Sequence, residues 1–492
     1  MNDRWRSATM IAAVAACACS MALTGAGGAL AGTHVATGGQ AAASGGTWGT
    51  AQEVPGTAAL TQDGGGAVVS VSCASADNCS AGGRYVDGNG NIQSFVAKEV
   101  DGTWQSAEQI PGTAALGVNT AVNSVSCASV GNCSAGGQYT PAGTNHIESF
   151  VADEVNGTWQ DAIEVPGTAA LNQGGQGQGV LSVSCASAGN CSAGGQYADG
   201  SGGVQAFVAN EVNGTWQDAV EVPGTAALNQ NGNAVLTSVS CASAGNCSAG
   251  GSYSGSSGNQ AFAVKEVNGT WQDAIEVPGI GTLNQDDSAT INTVSCASAG
   301  KCSAGGTYLD SANHRQVFVA NEVNGTWQDA IEVPGTATLN QDGQAELYSV
   351  SCAAAGKCSA GGWYTDSSGN TQAFAANEVN GTWQDAIEVP GTATLNQDGR
   401  AAVNTVSCPV AGECSAAGYY RDSSGNTQAF VANEVNGKWE AAIEVPGTAT
   451  LNQGGFAETE SVSCATAGNC SAGGTYTDSN PFNQAFVVNE TN

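Results

Sequence analysis

The chain has 492 residues, 70 of them Gly, and its 11 Lys+Arg face 42 Asp+Glu for a formal net charge of −31. A field of that sign repels nucleic-acid phosphates and anionic lipid, which excludes nucleic-acid binding and favours solubility or association with cations. At 41% hydrophobic the chain is too apolar for a disordered class. With no long helical period, its Ala, Ser, Thr, Val, Asn and Gly leave an all-β reading.

The N-terminus reads as an export signal over residues 1–31. "MNDRWR" supplies a short basic segment, "SATMIAAVAACACSMAL" an apolar core, and Ala29–Ala31 small residues for cleavage. The core is too short to persist as an anchor, so the mature chain is expected to be secreted, with no transmembrane segment. An alternative rests on "VAAC", which ends at Cys17 and resembles a bacterial lipobox; it would leave the protein lipid-anchored through Cys17. Cleavage removes Arg4, Arg6 and Asp3 from the totals, leaving 9 basic and 41 acidic residues and a net charge of −32. Residues 32–46 read as a flexible linker, and a single repeat domain fills 47–492.

Three rulers give the same repeat. Trp48, Trp104, Trp159, Trp216, Trp271, Trp327, Trp383 and Trp439 recur every 55–57 residues, and a Cys pair and a Tyr follow the same beat. Such a period signals a solenoid, a propeller or an array. In the sixth unit the first strand is read at Leu347–Cys352, the second at Cys358–Tyr364, the third at Gln372–Val379 and the fourth at Thr382–Pro390. Asn380-Gly381, between the third and fourth, is a hairpin signal because a type I′ turn needs φ > 0 at both central residues. In the fourth strand, alternation predicts Trp383, Asp385, Ile387 and Val389 on one face and Gln384, Ala386 and Glu388 on the other. The repeat region opens on a fourth strand, "GGTWGTAQEVP", and closes on a third, "QAFVVNETN". A ring joins these two, whereas an open solenoid would need capping repeats. The expected fold is an eight-bladed β-propeller, four antiparallel strands per blade, with Trp48–Val54 completing the last blade beside Ala485–Asn489.

Sixteen cysteines stand as C-x5-C across the turn between first and second strands. They are Cys73 and Cys79, Cys127 and Cys133, Cys185 and Cys191, Cys241 and Cys247, Cys296 and Cys302, Cys352 and Cys358, Cys408 and Cys414, and Cys464 and Cys470. This spacing lacks the C-x2-C or nearby His of a zinc site and fits one disulfide per blade, formed in an oxidising compartment and closing a small loop.

No nucleophile, dinucleotide or metalloprotease motif is present, so no catalytic residue is assigned. His34, His146 and His314 read as exposed histidines. Asp87, Asp199, Asp310, Asp366, Asp422 and Asp478 fall between second and third strands; Asp63, Asp286, Asp342 and Asp398 fall between the fourth strand and the next blade. A propeller puts both loop sets on one face, making an acidic rim. Calcium is one occupant for it, and turn chemistry is the simpler reading. Glu99, Glu154, Glu211, Glu266, Glu322, Glu378, Glu434 and Glu490 end each third strand and are expected to hold its hairpin to the fourth. Departures from the repeat carry more information. The residue before the second-strand Tyr is Arg84, Gln138, Gln196, Ser252, Thr307 or Thr475, but Trp363 and Tyr419 in units six and seven, with Arg400 and Arg421 nearby. Aromatic faces beside hydrogen-bond donors suit sugar binding, so these four are the candidate ligand residues.

The pattern "SVSCASAGNCSAGGQY…QAFVANEVNGTWQDAIEVPG" resembles repeats of secreted bacterial β-propeller proteins over about residues 47–492. "NGTW" is also similar to the Asp-box of sialidase-like propellers, S-x-D-x-G-x-T-W, but its Gly directly precedes Thr and the Asp is absent. Sialidase chemistry is therefore not carried over; lectin propellers are relatives by architecture. The expected role is a monomeric binding or adhesion module for carbohydrate or cell-surface ligands, near-identical blades giving multivalency. The alternatives are an exported glycosidase or lyase, and a purely structural extracellular protein.

Overall fold

The computed structural model describes residues 45–61, 64–175, 177, 179–480 and 482–492. The export signal, Cys17, His34, Asp63 and most of the linker lie outside the described residues. The rest forms eight antiparallel sheets arranged as a ring of blades. Blade 6 shows the pattern: first strand Ala345–Ala354, second Lys357–Thr365, third Thr371–Val379, and a fourth in two pieces, Thr382–Trp383 and Ile387–Glu388. The ring closes as expected. Thr47 pairs with Thr491 and Trp48 with Glu490, then Gln52 with Val487 and Glu53 with Phe486.

First strands line the ring axis, each packed on the first strand of the next blade, Ala67–Ser75 against Ala457–Thr466 included. They have no strand neighbour on their inner side, and the repeated "SVSC" supplies the missing acceptors. Val125 and Cys127 donate their N–H groups to Ser70 and Ser72 of the blade before, at 3.0 and 2.9 Å. Val71 and Cys73 do the same to Ser461 and Ser463 across the closure, both at 3.0 Å. Buried N–H groups are costly when unpaired, which accounts for a Ser, or a Thr at Thr293 and Thr405, at every second position there.

Between blades the core is Phe, Val and Ala, with Phe374 fully buried in blade 6. The paired glycines of "SAGG" allow two close approaches, the first to the next blade and the second to the first strand of the same blade. A Cβ on Gly361 would lie 2.5 Å from Val403 Cγ1 of blade 7, and one on Gly362 would lie 2.0 Å from the Glu346 carbonyl. Asn380 and Gly381 have φ of 53° and 81°, as the type I′ reading requires.

All eight expected disulfides are formed. Cys73 is bonded to Cys79, Cys127 to Cys133, Cys185 to Cys191, Cys241 to Cys247, Cys296 to Cys302, Cys352 to Cys358, Cys408 to Cys414 and Cys464 to Cys470. In seven blades the two cysteines stand in direct register across the ladder. Blade 7 differs: Pro409 follows Cys408, the register jumps from Ser407/Ser415 to Val410/Glu413, and Cys408 and Cys414 are not ladder partners. Proline has no N–H to give the ladder there. The spacing predicts the closure of a hairpin, and the structure adds a contact between blades. The sulfur of the second cysteine meets a Ser hydroxyl of the blade before. Cys79 Sγ lies 3.3 Å from Ser471 Oγ, Cys302 Sγ 3.4 Å from Ser248 Oγ, Cys414 Sγ 3.3 Å from Ser359 Oγ and Cys470 Sγ 3.3 Å from Ser415 Oγ. A bonded sulfur carries no proton and can only accept, so the hydroxyl is the polar partner in each case.

The fourth strand departs from its expected alternation. Trp383, Ala386 and Val389 are buried, whereas Asp385 and Ile387 are exposed. The cause is a contact between blades: Ala386 turns its N–H to the Pro334 carbonyl of blade 5 at 2.7 Å, breaking the ladder to its own third strand. After each "VPG" or "IPG" comes a single helical turn, Thr392–Leu395 in this unit, entered through Gly391 at φ 84°.

Candidate functional site

The position before the second-strand Tyr lies near the axis, on the face formed by the longer loops. Trp363 pairs across the sheet with Glu346 of the first strand and Ala373 of the third. Its indole donates to the Tyr348 hydroxyl at 3.0 Å, and that hydroxyl lies 3.5 Å from Glu346 Oε2. Arg315 of blade 5 reaches the same carboxylate at 3.4 Å. Burial pushes the Tyr348 phenol up, and the charges of Glu346, Tyr419 and Glu458 add to it. Trp363, Tyr348, Tyr419, Glu346 and Glu458 are half-buried. Tyr419 and Glu458 come from the next two blades, so the cluster spans blades 6, 7 and 8.

Blade 8 extends it with a second carboxylate. Glu458 accepts from Asn404 at 2.8 Å. Glu460, two residues on, keeps some accessible surface while protein crowds it along the axis. Its carboxyl is pushed well above the usual range, first by burial and then by Glu458, with Arg84 of blade 1 pulling it down. Tyr348 and Glu460 occupy the register irregularity of their first strands, between Leu347/Ser349 and Thr459/Ser461. The bulge frees one residue from the ladder and re-aims its side chain.

Of the four residues singled out from sequence, Trp363 and Tyr419 belong to this cluster. Arg421 is engaged elsewhere, 3.2 Å from Asp398 and donating to the Gly425 carbonyl at 2.7 Å. Arg400 is exposed on the loop leading into blade 7. Glu346, Tyr348, Glu458 and Glu460 were missed, although a signal was present: "AELYSVSC" and "AETESVSC" depart from "AVLTSVSC" and "ATINTVSC" at the same two positions.

The aspartates between second and third strands are spent on their own turns. Asp366 Oδ1 accepts from the Ser368 and Asn370 N–H groups at 2.8 and 3.1 Å, and Oδ2 accepts from Gln372 at 2.9 Å. The same pattern serves Asp87, Asp199, Asp310, Asp422 and Asp478. Hydrogen bonds from Ser201 and Gln205 hold the Asp199 carboxyl down to about 2. Among the described residues no group of three or more His, Cys, Asp or Glu side chains gathers to hold a metal. His146 and His314 are exposed.

The opposite face, built from the disulfide-closed turns and the Asn-Gly turns, carries clefts between blades. They measure about 170 Å³ between blades 1 and 2, 250 Å³ between 3 and 4, 360 Å³ between 5 and 6, and 240 Å³ between 6 and 7. Each is walled by disulfide cysteines, turn glycines and the repeated Glu at the end of two third strands. Cys79 and Cys133 line the first of these clefts, Cys302 and Cys358 the third, and Cys358 and Cys414 the fourth. The repeated Glu do not hold their own hairpins: Glu434 Oε1 accepts from Asn377 of blade 6, and Glu322 Oε2 accepts from Ser248 of blade 4 at 3.0 Å.

No family model matches the chain, and no curated protein matches it. Several solved structures are similar to it. Sqt1 from Chaetomium thermophilum has 8% identity and a TM-score of 0.48, covering 90% of this chain and 99% of that one. An ulvan lyase of polysaccharide lyase family PL25 has 10% identity and a TM-score of 0.41, covering 92% and 96%. The Hadza microbial sialidase Hz136 has 10% identity and a TM-score of 0.34, covering 72% and 73%.

Proposed function

We propose that the protein is a secreted binding module that holds a carbohydrate at the mouth of the ring axis, on the face of the longer loops. The observation that carries this reading is the convergence of Trp363, Tyr348 and Tyr419 with Glu346 and Glu458 from three blades of an otherwise repetitive ring. Aromatic faces stack on the C–H side of a sugar ring, and carboxylates accept its hydroxyls or pair with an amine. Arg400 and Arg421 stand on the same face, where they would meet the outer units of a longer glycan. Export is supported by eight disulfides, which persist in oxidising compartments. Among the described residues no helix is long and apolar enough to cross a membrane.

A glycan array on the mature protein, with and without chelator, identifies the ligand and tests any calcium requirement of the loops. Trp363→Ala with Tyr419→Ala is then expected to weaken binding by about 1–3 kcal/mol with Tm preserved. Unchanged affinity in that double mutant removes the site from the axis.

One observation favours a second reading, an exported glycosidase or lyase. Glu460, its carboxyl raised by burial, stands two residues from Glu458, and a protonated acid beside a second carboxylate is what glycoside cleavage uses. A polysaccharide panel scored for new reducing ends or unsaturated products separates the two. Turnover lost in Glu460→Gln with binding retained supports the enzyme. Binding with no turnover in the wild type supports the module.

A further inference from the structure

Neighbouring blades meet through one repeated polar contact. The third strand carries Asn210, Asn321, Asn377, Asn433 or Asn489, whose amide donates to the repeated Glu of the next blade, at 2.5 Å from Asn210 to Glu266. In blades 1 and 4 this position is Lys. The Lys98 ammonium lies 3.4 Å from Glu154 and 2.7 Å from the Gly157 carbonyl; that of Lys265 lies 2.5 Å from the Gly325 carbonyl. Both interfaces thus hold a positive charge at the carbonyl of the Asn-Gly turn, paired with a buried carboxylate in the first and acting on the charge of buried Glu322 in the second.

Blade 2 has Asp153 there instead. Its carboxylate takes hydrogen bonds from Ser134 at 2.7 Å and from the Trp216 indole of blade 3 at 3.0 Å. The facing Glu211 is 5% exposed, and its Oε2 is buried with no hydrogen-bond partner. Burial first, then the charge of Asp153, pushes the Glu211 carboxyl up to about 7. Where the other interfaces present an amide or an ammonium to the Glu, this one presents a second carboxylate. Gly214, with the backbone conformation of Gly157 and Gly325, offers the same turn carbonyl. The cysteines nearby, Cys133 and Cys191, are in disulfides, so the donors are hard oxygens.

We propose that the interface between blades 2 and 3 is a divalent-cation site, suited to Ca²⁺, formed by Asp153, Glu211 and the Gly214 carbonyl. Ca²⁺ accepts such a set and completes its shell with water, whereas Mg²⁺ demands a tighter octahedron. The cation would stand where Lys98 and Lys265 place their ammonium groups.

The test uses chelator-treated mature protein. Calorimetric titration with Ca²⁺ is expected to show one strong site per chain, with a rise in Tm. Tb³⁺ bound there is expected to luminesce on indole excitation, because Trp216 adjoins Asp153. Asp153→Asn installs the residue that five other blades carry, so it folds, and it is expected to weaken Ca²⁺ by about tenfold or more and abolish the Tb³⁺ signal. Asp153→Lys is expected to stabilise the chelated protein and remove its response to Ca²⁺. Absence of binding in the wild type, or undiminished binding in Asp153→Asn, overturns the proposal. So does a wild type indifferent to Ca²⁺ whose Tm falls more steeply with pH than that of Asp153→Asn, since the two carboxylates would then share a proton.

Discussion

Asn377 makes three hydrogen bonds with one amide. Its Oδ1 accepts from Ser359 at 3.0 Å and from the Trp439 indole of blade 7 at 3.1 Å, and its Nδ2 donates to Glu434. Glu434 is 3% exposed, so removing the amide leaves a carboxylate in the blade interface without its main donor. Asn377→Ala is expected to cost about 2–4 kcal/mol in denaturant unfolding. Asn377→Lys is expected to cost less, because an ammonium serves Glu154 and Glu322 in this way, although the Trp159 and Trp327 indoles there lack an acceptor. Equal losses in the two variants would show that charge compensation is not what the Asn provides. The sequence showed that these Glu matter in every blade but not whom they serve. A partner in the same blade and one in the next recur with the same period, so periodicity cannot separate them. Burial also gives the interfaces a pH dependence. Glu99 is raised to about 6, and Glu434 and Glu490 to about 7, from an ordinary value of 4.5. The folded state then holds protons that the unfolded chain releases, so stability is full below the unfolded value and falls as pH rises through the folded ones. Asp199, held at about 2, has the opposite sign and acts only in acid. In chelator, Tm is expected to drop by roughly 5–10 °C from about pH 5 to pH 8, and a rise would contradict the burial argument.

At the scale of the element, short-range chemistry was legible and contact between blades was not. The Asn-Gly turns and the Cys hairpins follow from φ preferences and from spacing, which involve only neighbours in the chain. The approach of Ser471 to Cys79, from the last blade to the first, leaves no mark in that spacing. The broken fourth strand depends on the Pro334 carbonyl, 52 residues before Ala386, and no alternation pattern contains that. The helical turn at Thr392–Leu395 was missed because one turn is too short to show a period. Outside blade 7, each disulfide links residues that the strand ladder already sets opposite one another, so it closes only a small loop. Intact mass is expected to rise by sixteen hydrogens on reduction of the eight bonds. Cys352→Ser with Cys358→Ser is expected to cost about 2 kcal/mol, the chain-entropy value for so short a loop. A much larger loss would mean that the disulfide, rather than the ladder, sets the register of the hairpin.

For the whole molecule, counting Trp, Cys and Tyr gave eight blades, and the unmatched strands at the two ends gave the closure. The axis cluster was only half legible, since Trp363 and Tyr419 stand out in their own repeats while Glu346, Tyr348, Glu458 and Glu460 gain meaning only when three blades converge. Residues 47–54 close the ring. Trp48 packs at 6% exposure and donates to Asn433 of blade 7 at 3.1 Å; Val54 is fully buried. Gly49 and Val54 donate their N–H groups to Asn489 and Ala485 within blade 8, and Ala51 donates to the Pro446 carbonyl of blade 7. The segment therefore ties blade 8 to itself and to blade 7. Deleting it exposes the third strand Asn483–Thr491 as an unpaired edge and opens the cluster around Phe486, which is otherwise fully buried. Deletion of residues 47–54 is expected to lower Tm much further than deletion of Ser367–Gly369, an exposed loop tip. Limited proteolysis of the deletion variant is expected to cut first in blade 8. Equal Tm losses in the two deletions, or first cleavage in a distant blade, would mean that the ring does not depend on this strand.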